Sequence, residues 1–119
     1  MEQQLPRLNV SVEGDVTVVE LTDRKILDEM SISQIGERLQ GLVAKADPVK
    51  FVLDFTNVGH MSSSALGMLI TLHKRIRERG GQLCLSGIQP PIYEVFVITR
   101  LNEIFEIRKT RDEALGSLN

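Results

Sequence analysis

At 119 residues and 13.3 kDa, the chain has room for one domain, with a core large enough to need no disulfide staples. A mean hydropathy of -0.02 with 25% charged residues excludes both a membrane-embedded and a disordered chain. Fourteen basic against sixteen acidic residues leave a net charge of -2. No basic field invites nucleic acid, and 4% aromatic residues without tryptophan offer no base-stacking platform.

Other features narrow the class. No run approaches the roughly 18 apolar residues of a membrane span. The opening MEQQLPRLNV lacks the basic patch and apolar stretch of a secretory signal. The lone Cys84 has no disulfide partner, and no Cys/His spacing suggests a metal site. The expectation is a cytoplasmic protein without cofactor or metal, its 119 residues forming one domain.

The first elements read as a β-hairpin. Leu8, Val10 and Val12 alternate with polar residues, Glu13-Gly14-Asp15 supplies the turn, and Val16, Val18, Val19 and Leu21 resume the pattern. Thr22 to Asp28 reads as polar and irregular. Ser31, three residues before Gln34, predicts a capping box, after which Ile32, Ile35, Leu39, Leu42 and Val43 form one helical stripe. Asp47-Pro48 ends that helix, because the residue before proline disfavours helical backbone angles.

Phe51 to Phe55 is a short apolar run, predicted as a strand covered on both faces. A polar loop from Thr56 to Met61 leads into Ser62-Ser63-Ser64, and Leu66, Leu69, Ile70, His73 and Ile76 then repeat with helical period. Gly80-Gly81 closes this helix, with Arg75, Arg77 and Arg79 opposing its negative end. Gln82 to Ser86 follows as a strand, Pro90 to Arg100 as a helix, Ile104 to Ile107 as a strand and Arg111 to Leu118 as a helix. The order β-β-α-β-α-β-α-β-α implies an α/β fold with a mixed, mostly parallel sheet and an antiparallel N-terminal hairpin.

In such folds ligands and partners meet the loops at the carboxyl ends of the strands. The most unusual such loop is Asn57 to Gly67. Ser62 is suited to cap the helix by accepting a backbone N–H, which puts Ser63 at the first helical position. A phosphate on Ser63 would carry about -1.5 to -2 charges beside the positive helix end, so the fold would tolerate it. Spacing alone favours the plainer reading, a well-capped helix, since serine is common at N-caps.

Residues Phe51 to Gly67, with a strand, a V-x-x-M loop, a serine pair and L-G, resemble the signature of STAS domains, in particular the bacterial anti-sigma factor antagonists. Leu27-Asp28 matches the turn before the family's first helix. Gly87-Ile88-Gln89-Pro90, Thr99-Arg100-Leu101 and Ile104-Phe105 match its later motifs in order and spacing. The resemblance implies a binding protein, not an enzyme. Its unphosphorylated form would hold an anti-sigma factor that is also a serine kinase of histidine-kinase-like ATPase fold, freeing a sigma factor. Phosphorylation would end the complex and a phosphatase would reset it.

Mapped by position, the acceptor is Ser63, with Ser62 and Ser64 as alternatives. Asp28, Asn57, Gly59, His60, Met61 and the three serines form the expected partner face. Ser62 stands where the family usually has aspartate, and Lys25 where it has glycine. A second reading is therefore a phosphorylation-independent STAS scaffold, such as a subunit of a signalling or lipid-transport complex.

Sharper chemistry finds little support in the sequence. Asp54, His60 and Ser63 invite a triad, but no G-x-S-x-G elbow accompanies them. Gly59 and Gly67 make neither a dinucleotide fingerprint nor a P-loop. Cys84 reads as a small buried apolar residue and His73 as a packed one. Lys74 to Arg79 reads as a solvated helix end. Ile88, Ile92, Val95, Phe96 and Ile98 read as mainly core, with apolar content sufficient for weak self-association.

Overall fold

The computed structural model describes residues 2–5 and 7–118, with side chains from Arg7 onward. The residues Met1, Pro6 and Asn119 of the expected 1–119 domain lie outside them. Twelve regular elements follow in chain order. They are β1 (Glu2–Leu5), β2 (Leu8–Glu13), β3 (Val16–Leu21), β4 (Lys25–Ile26), α1 (Glu29–Lys45) and β5 (Lys50–Asp54). Then come β6 (His60–Met61), α2 (Ser63–Glu78), β7 (Gln82–Ser86), α3 (Pro90–Ile98), β8 (Glu106–Arg108) and α4 (Arg111–Ser117).

Six strands form one mixed sheet in the order β1-β2-β3-β5-β7-β8. The first three pair antiparallel, with Gly14 at φ +64° in the β2–β3 turn, and the remaining pairs are parallel. The parallel strands advance in one direction, so right-handed crossovers put α1, α2 and α3 on one face. Side-chain alternation divides the core accordingly. Val19, Leu21, Phe51, Leu53, Leu83 and Leu85 pack towards those helices, while Val16, Val18, Val52 and Cys84 pack under Ala114 of α4 and Leu118 just after it. Cys84 is buried, as its sequence context indicates, and burial pushes its thiol pKa up.

The α/β alternation read from the sequence holds, with β1, β4 and β6 added as short strands. Several boundaries move. Helix α1 starts before Ser31: Asp28 is the cap, Ser31 is buried inside the first turn, and Gln34 instead accepts a hydrogen bond from Arg7 Nε. Thr22 to Asp28 is not wholly irregular, since β4 lies within it and Ile26 is fully buried. Helix α3 ends at Ile98, and a 3₁₀ turn, Leu101–Glu103, moves the last strand to Glu106–Arg108. Arg79 serves a neighbouring helix end as well as its own, its guanidinium donating to the carbonyls of Val43 and Ala46 at the C-terminus of α1.

The α3 region also departs from expectation. Ile92 and Phe96 are core, but Val95 and Ile98 are exposed and Ile88 is only half-buried. An almost entirely apolar helix has no polar stripe to mark its outer side. In α2, Leu72 is buried while Ile70 and His73 are half-buried, His73 with its ring edge-on to Phe105.

Gly87, just after β7, adopts φ +69°, and a Cβ there would lie 2.5 Å from Thr56 Oγ1 and 3.0 Å from Asp54 Oδ1. Gly87→Ala is therefore expected to destabilise the fold by about 2–3 kcal/mol through backbone strain and overpacking. Urea unfolding checks this, and Gly14→Ala, with open space around its Cβ, should cost less.

Candidate functional site

The loop preceding α1 and the loop preceding α2 are stitched together by backbone. The Arg24 carbonyl accepts the N–H groups of Gly59 (2.8 Å) and His60 (3.1 Å), and the Ile26 carbonyl accepts that of Ser62 (3.1 Å). Strands β4 and β6 run parallel, with Lys25 opposite His60 and Ile26 opposite Met61. The Thr56–Met61 segment is thus partly strand. Its two α-helical neighbours begin side by side: Ser64 Oγ, in the first turn of α2, donates to Glu29 Oε1, the first residue of α1, at 2.9 Å.

Three consecutive serines have three different environments here. Ser62 is the cap of α2 in extended conformation, its Oγ accepting the Ala65 N–H at 3.2 Å. The hydroxyl of Ser64 is engaged by Glu29. Ser63, the first helical residue, is exposed, and its hydroxyl has no hydrogen-bond partner among the described residues. Of the other residues expected on this face, Asp28, Asn57 and His60 are exposed. Gly59 is half-buried, and Met61 is half-buried against the core. Asp28 accepts from both Ser31 Oγ (2.7 Å) and Ser31 N–H (2.9 Å), and these bonds, the hydroxyl's foremost, hold its carboxyl below the usual range. Beside the loop lies an open cleft of about 340 Å³ between Thr22, Arg24, Thr56, Asn57, Gly59 and Gln89.

Sequence reasoning missed Glu29, Arg24 and Gln89 at this site. Glu29 carried one signal, an acid in the first turn after a cap. Its approach to Ser64 is tertiary and had none. The triad reading fails on geometry. Both carboxylate oxygens of Asp54 are taken by Thr56 and Arg111, and the Ser63 hydroxyl bonds to neither Asp54 nor His60. Among the described residues no cluster of three or more His, Cys, Asp or Glu could hold a metal, and no helix is long and apolar enough to cross a membrane.

The family model described as "STAS domain" matches residues 7–114. The chain belongs to the STAS domain family. Its relatives include the anti-sigma-B factor antagonist of Listeria monocytogenes, 27% identical over 116 residues, covering 98% of this chain and 91% of that protein. The anti-sigma F factor antagonist of Paenibacillus polymyxa is 24% identical over 115 residues, covering 93% and 97%. Among solved structures, an anti-sigma-factor antagonist (STAS) domain protein from Planctomyces limnophilus matches with a TM-score of 0.84 and 27% identity, over 92% of this chain and 96% of that one.

What anchors the Ser63 loop in this STAS domain is Asp54, the last residue of β5. Its Oδ1 accepts the Thr56 N–H (2.9 Å) and hydroxyl (2.5 Å), turning the chain into the loop. Its Oδ2 accepts Arg111 Nε (3.2 Å) and Nη2 (2.7 Å) from α4. Burial opposes the charged form, but the Thr56 donors and the Arg111 guanidinium outweigh it and hold the Asp54 pKa below the ordinary 3.8.

A carboxyl whose folded pKa is depressed contributes stability that is present above its unfolded pKa. That contribution is lost as pH falls through the folded value. Arg111 is partly exposed, so screening keeps the expected loss in Asp54→Asn to about 1–2 kcal/mol at pH 7. Denaturant titrations of wild type and variant across pH 7 to pH 2 should show that difference shrinking as pH falls below about 4.

Proposed function

We propose that the chain is a phosphorylation-switched anti-sigma factor antagonist: one STAS domain over residues 1–119 that acts in the cytoplasm by binding, without catalysis or cofactor. Unphosphorylated, it holds an anti-sigma factor that is a serine kinase of histidine-kinase-like ATPase fold, and so frees a sigma factor for transcription. That kinase phosphorylates Ser63, the complex separates, and a phosphatase restores the binding form. The partner face comprises Asp28, Asn57, Gly59, His60, Met61 and Ser62 to Ser64. The names of the Listeria and Paenibacillus relatives support the class of partner.

The observation that carries the choice of acceptor is the state of the three hydroxyls. Ser62 is committed to the helix cap and Ser64 to Glu29, whereas Ser63 is exposed and unengaged among the described residues. A phosphate on Ser64 would also set a dianion against the Glu29 carboxylate, while one on Ser63 sits at the N-terminus of a 16-residue helix. An added dianion on a fitted face costs several kcal/mol of partner affinity when it meets like charge. About 5.5 kcal/mol of differential binding inverts a 99:1 equilibrium, so one phosphate is sufficient in scale.

The second reading, a phosphorylation-independent scaffold, is favoured by one feature: the first turn of α2 has no acidic residue, and Ser62 replaces the family's usual aspartate. Intact-mass and peptide mapping after incubation with the partner kinase and ATP separates the two. One phosphate on Ser63 is expected, and its absence would leave the scaffold reading. In pull-downs under ATP, Ser63→Ala should stay bound, while Ser63→Asp should bind at least about tenfold more weakly. Equal retention of both variants counts against the switch.

A further inference from the structure

Glu29 stands 35 positions before Ser64 in the chain, yet its Oε1 lies 2.9 Å from the Ser64 hydroxyl that donates to it. It is the acid of the first turn of α1, while the first turn of α2 has none. Both side chains are exposed, and Glu29 takes part in no ion pair among the described residues. A free carboxylate from one helix is thus set against one of three neighbouring serines on another. Successive helical residues point about 100° apart, so the Ser63 hydroxyl is turned away from the side that Ser64 presents to Glu29.

We propose that Glu29 is the specificity determinant that confines phosphorylation of the serine run to Ser63. The inference rests on the switch reading above and adds the residue that selects the acceptor. In the transfer, a serine Oγ forms a bond to the γ-phosphorus of ATP as the bond from that phosphorus to the β–γ bridging oxygen breaks. ADP leaves, and the hydroxyl proton passes to a base of the kinase. The incoming group is anionic, and the product phosphate carries about -1.5 to -2 charges. At Ser64 both would be forced against the Glu29 carboxylate that already holds the hydroxyl. At Ser63 the same group meets the positive end of α2, with no carboxylate bonded to the acceptor. Ser62 is withheld by a different device, its oxygen accepting the Ala65 N–H. Glu29 therefore acts through Ser64, as a positioning residue. Its charge can be separated from its hydrogen bond, because the amide oxygen of Glu29→Gln still accepts a hydroxyl but repels no phosphate.

Phosphopeptide mapping of wild type, Glu29→Gln and Glu29→Lys after incubation with the partner kinase and ATP tests the assignment, with circular dichroism to confirm folding. Wild type should carry under about a tenth as much phosphate on Ser64 as on Ser63. That ratio should rise at least about fivefold in Glu29→Gln and further in Glu29→Lys. A second measurement needs no kinase. Phosphoserine installed biosynthetically at position 64 or at position 63 is titrated by phosphorus NMR at low salt. The phosphate at 64 should take its second proton at higher pH than the one at 63, and Glu29→Gln should remove the difference. Phosphate on Ser63 in wild type, with a ratio unmoved by both substitutions, would overturn the role of Glu29 and leave the switch standing. Equal titration of the two phosphates would overturn it as well. Wild type phosphorylated mainly on Ser64, or on no serine, would overturn the choice of acceptor or the switch itself, and this inference with it.

Discussion

Three backbone hydrogen bonds, from Gly59, His60 and Ser62 to the carbonyls of Arg24 and Ile26, fix everything at the exposed end of this molecule. They join two segments more than thirty residues apart into the β4–β6 pair, and so bring the first turns of α1 and α2 into contact. Each helix carries unsatisfied N–H groups and a partial positive charge at that end. Side by side, they form one face on which Asp28 and Ser62 each accept a backbone N–H, and the Ser64 hydroxyl donates across to Glu29. The remaining hydroxyl of the serine run is left pointing at solvent because its neighbours have already satisfied the local backbone.

Asp54 supports this arrangement from below. One carboxylate oxygen starts the loop through Thr56 and the other receives Arg111 from α4, so a single buried side chain links the last helix to the first turn of the site. Gly87 completes the packing, because no side chain fits where its α-carbon passes Thr56 and Asp54. The Asp54, Thr56 and Arg111 side chains are thereby paired with one another, which ties the start of the loop to the sheet and to α4. The exposed side of α3 is a second surface of different chemistry, apolar apart from Glu94.

How far the sequence was legible depends on how much of each signal is local. The stripe of Ile32, Ile35, Leu39 and Val43, the strand Gln82–Ser86 and the cap at Ser62 were readable because each is specified by nearby residues. The start of α1 was misread because two capping patterns compete within four residues. Ser31-x-x-Gln34 has the spacing of a capping box, yet Asp28 wins, and Ser31 becomes a donor to it. The two-residue strands β4 and β6 carry no periodicity at all. In α3 the pattern said apolar without saying which side is covered, and only Ile92 and Phe96 turned out to be.

By itself, the sequence determined the alternation of strands and helices, the STAS resemblance and the place of Ser63 at a helix start, because these follow from backbone preferences and apolar period over short windows. Tertiary structure alone decided that Glu29 engages Ser64, that Arg111 reaches Asp54 and that Ile98 faces water. Those contacts join residues 35 and 57 positions apart, or depend on which neighbour is missing. Distances of that kind are set by the crossovers of the sheet, and no local pattern of side chains encodes them.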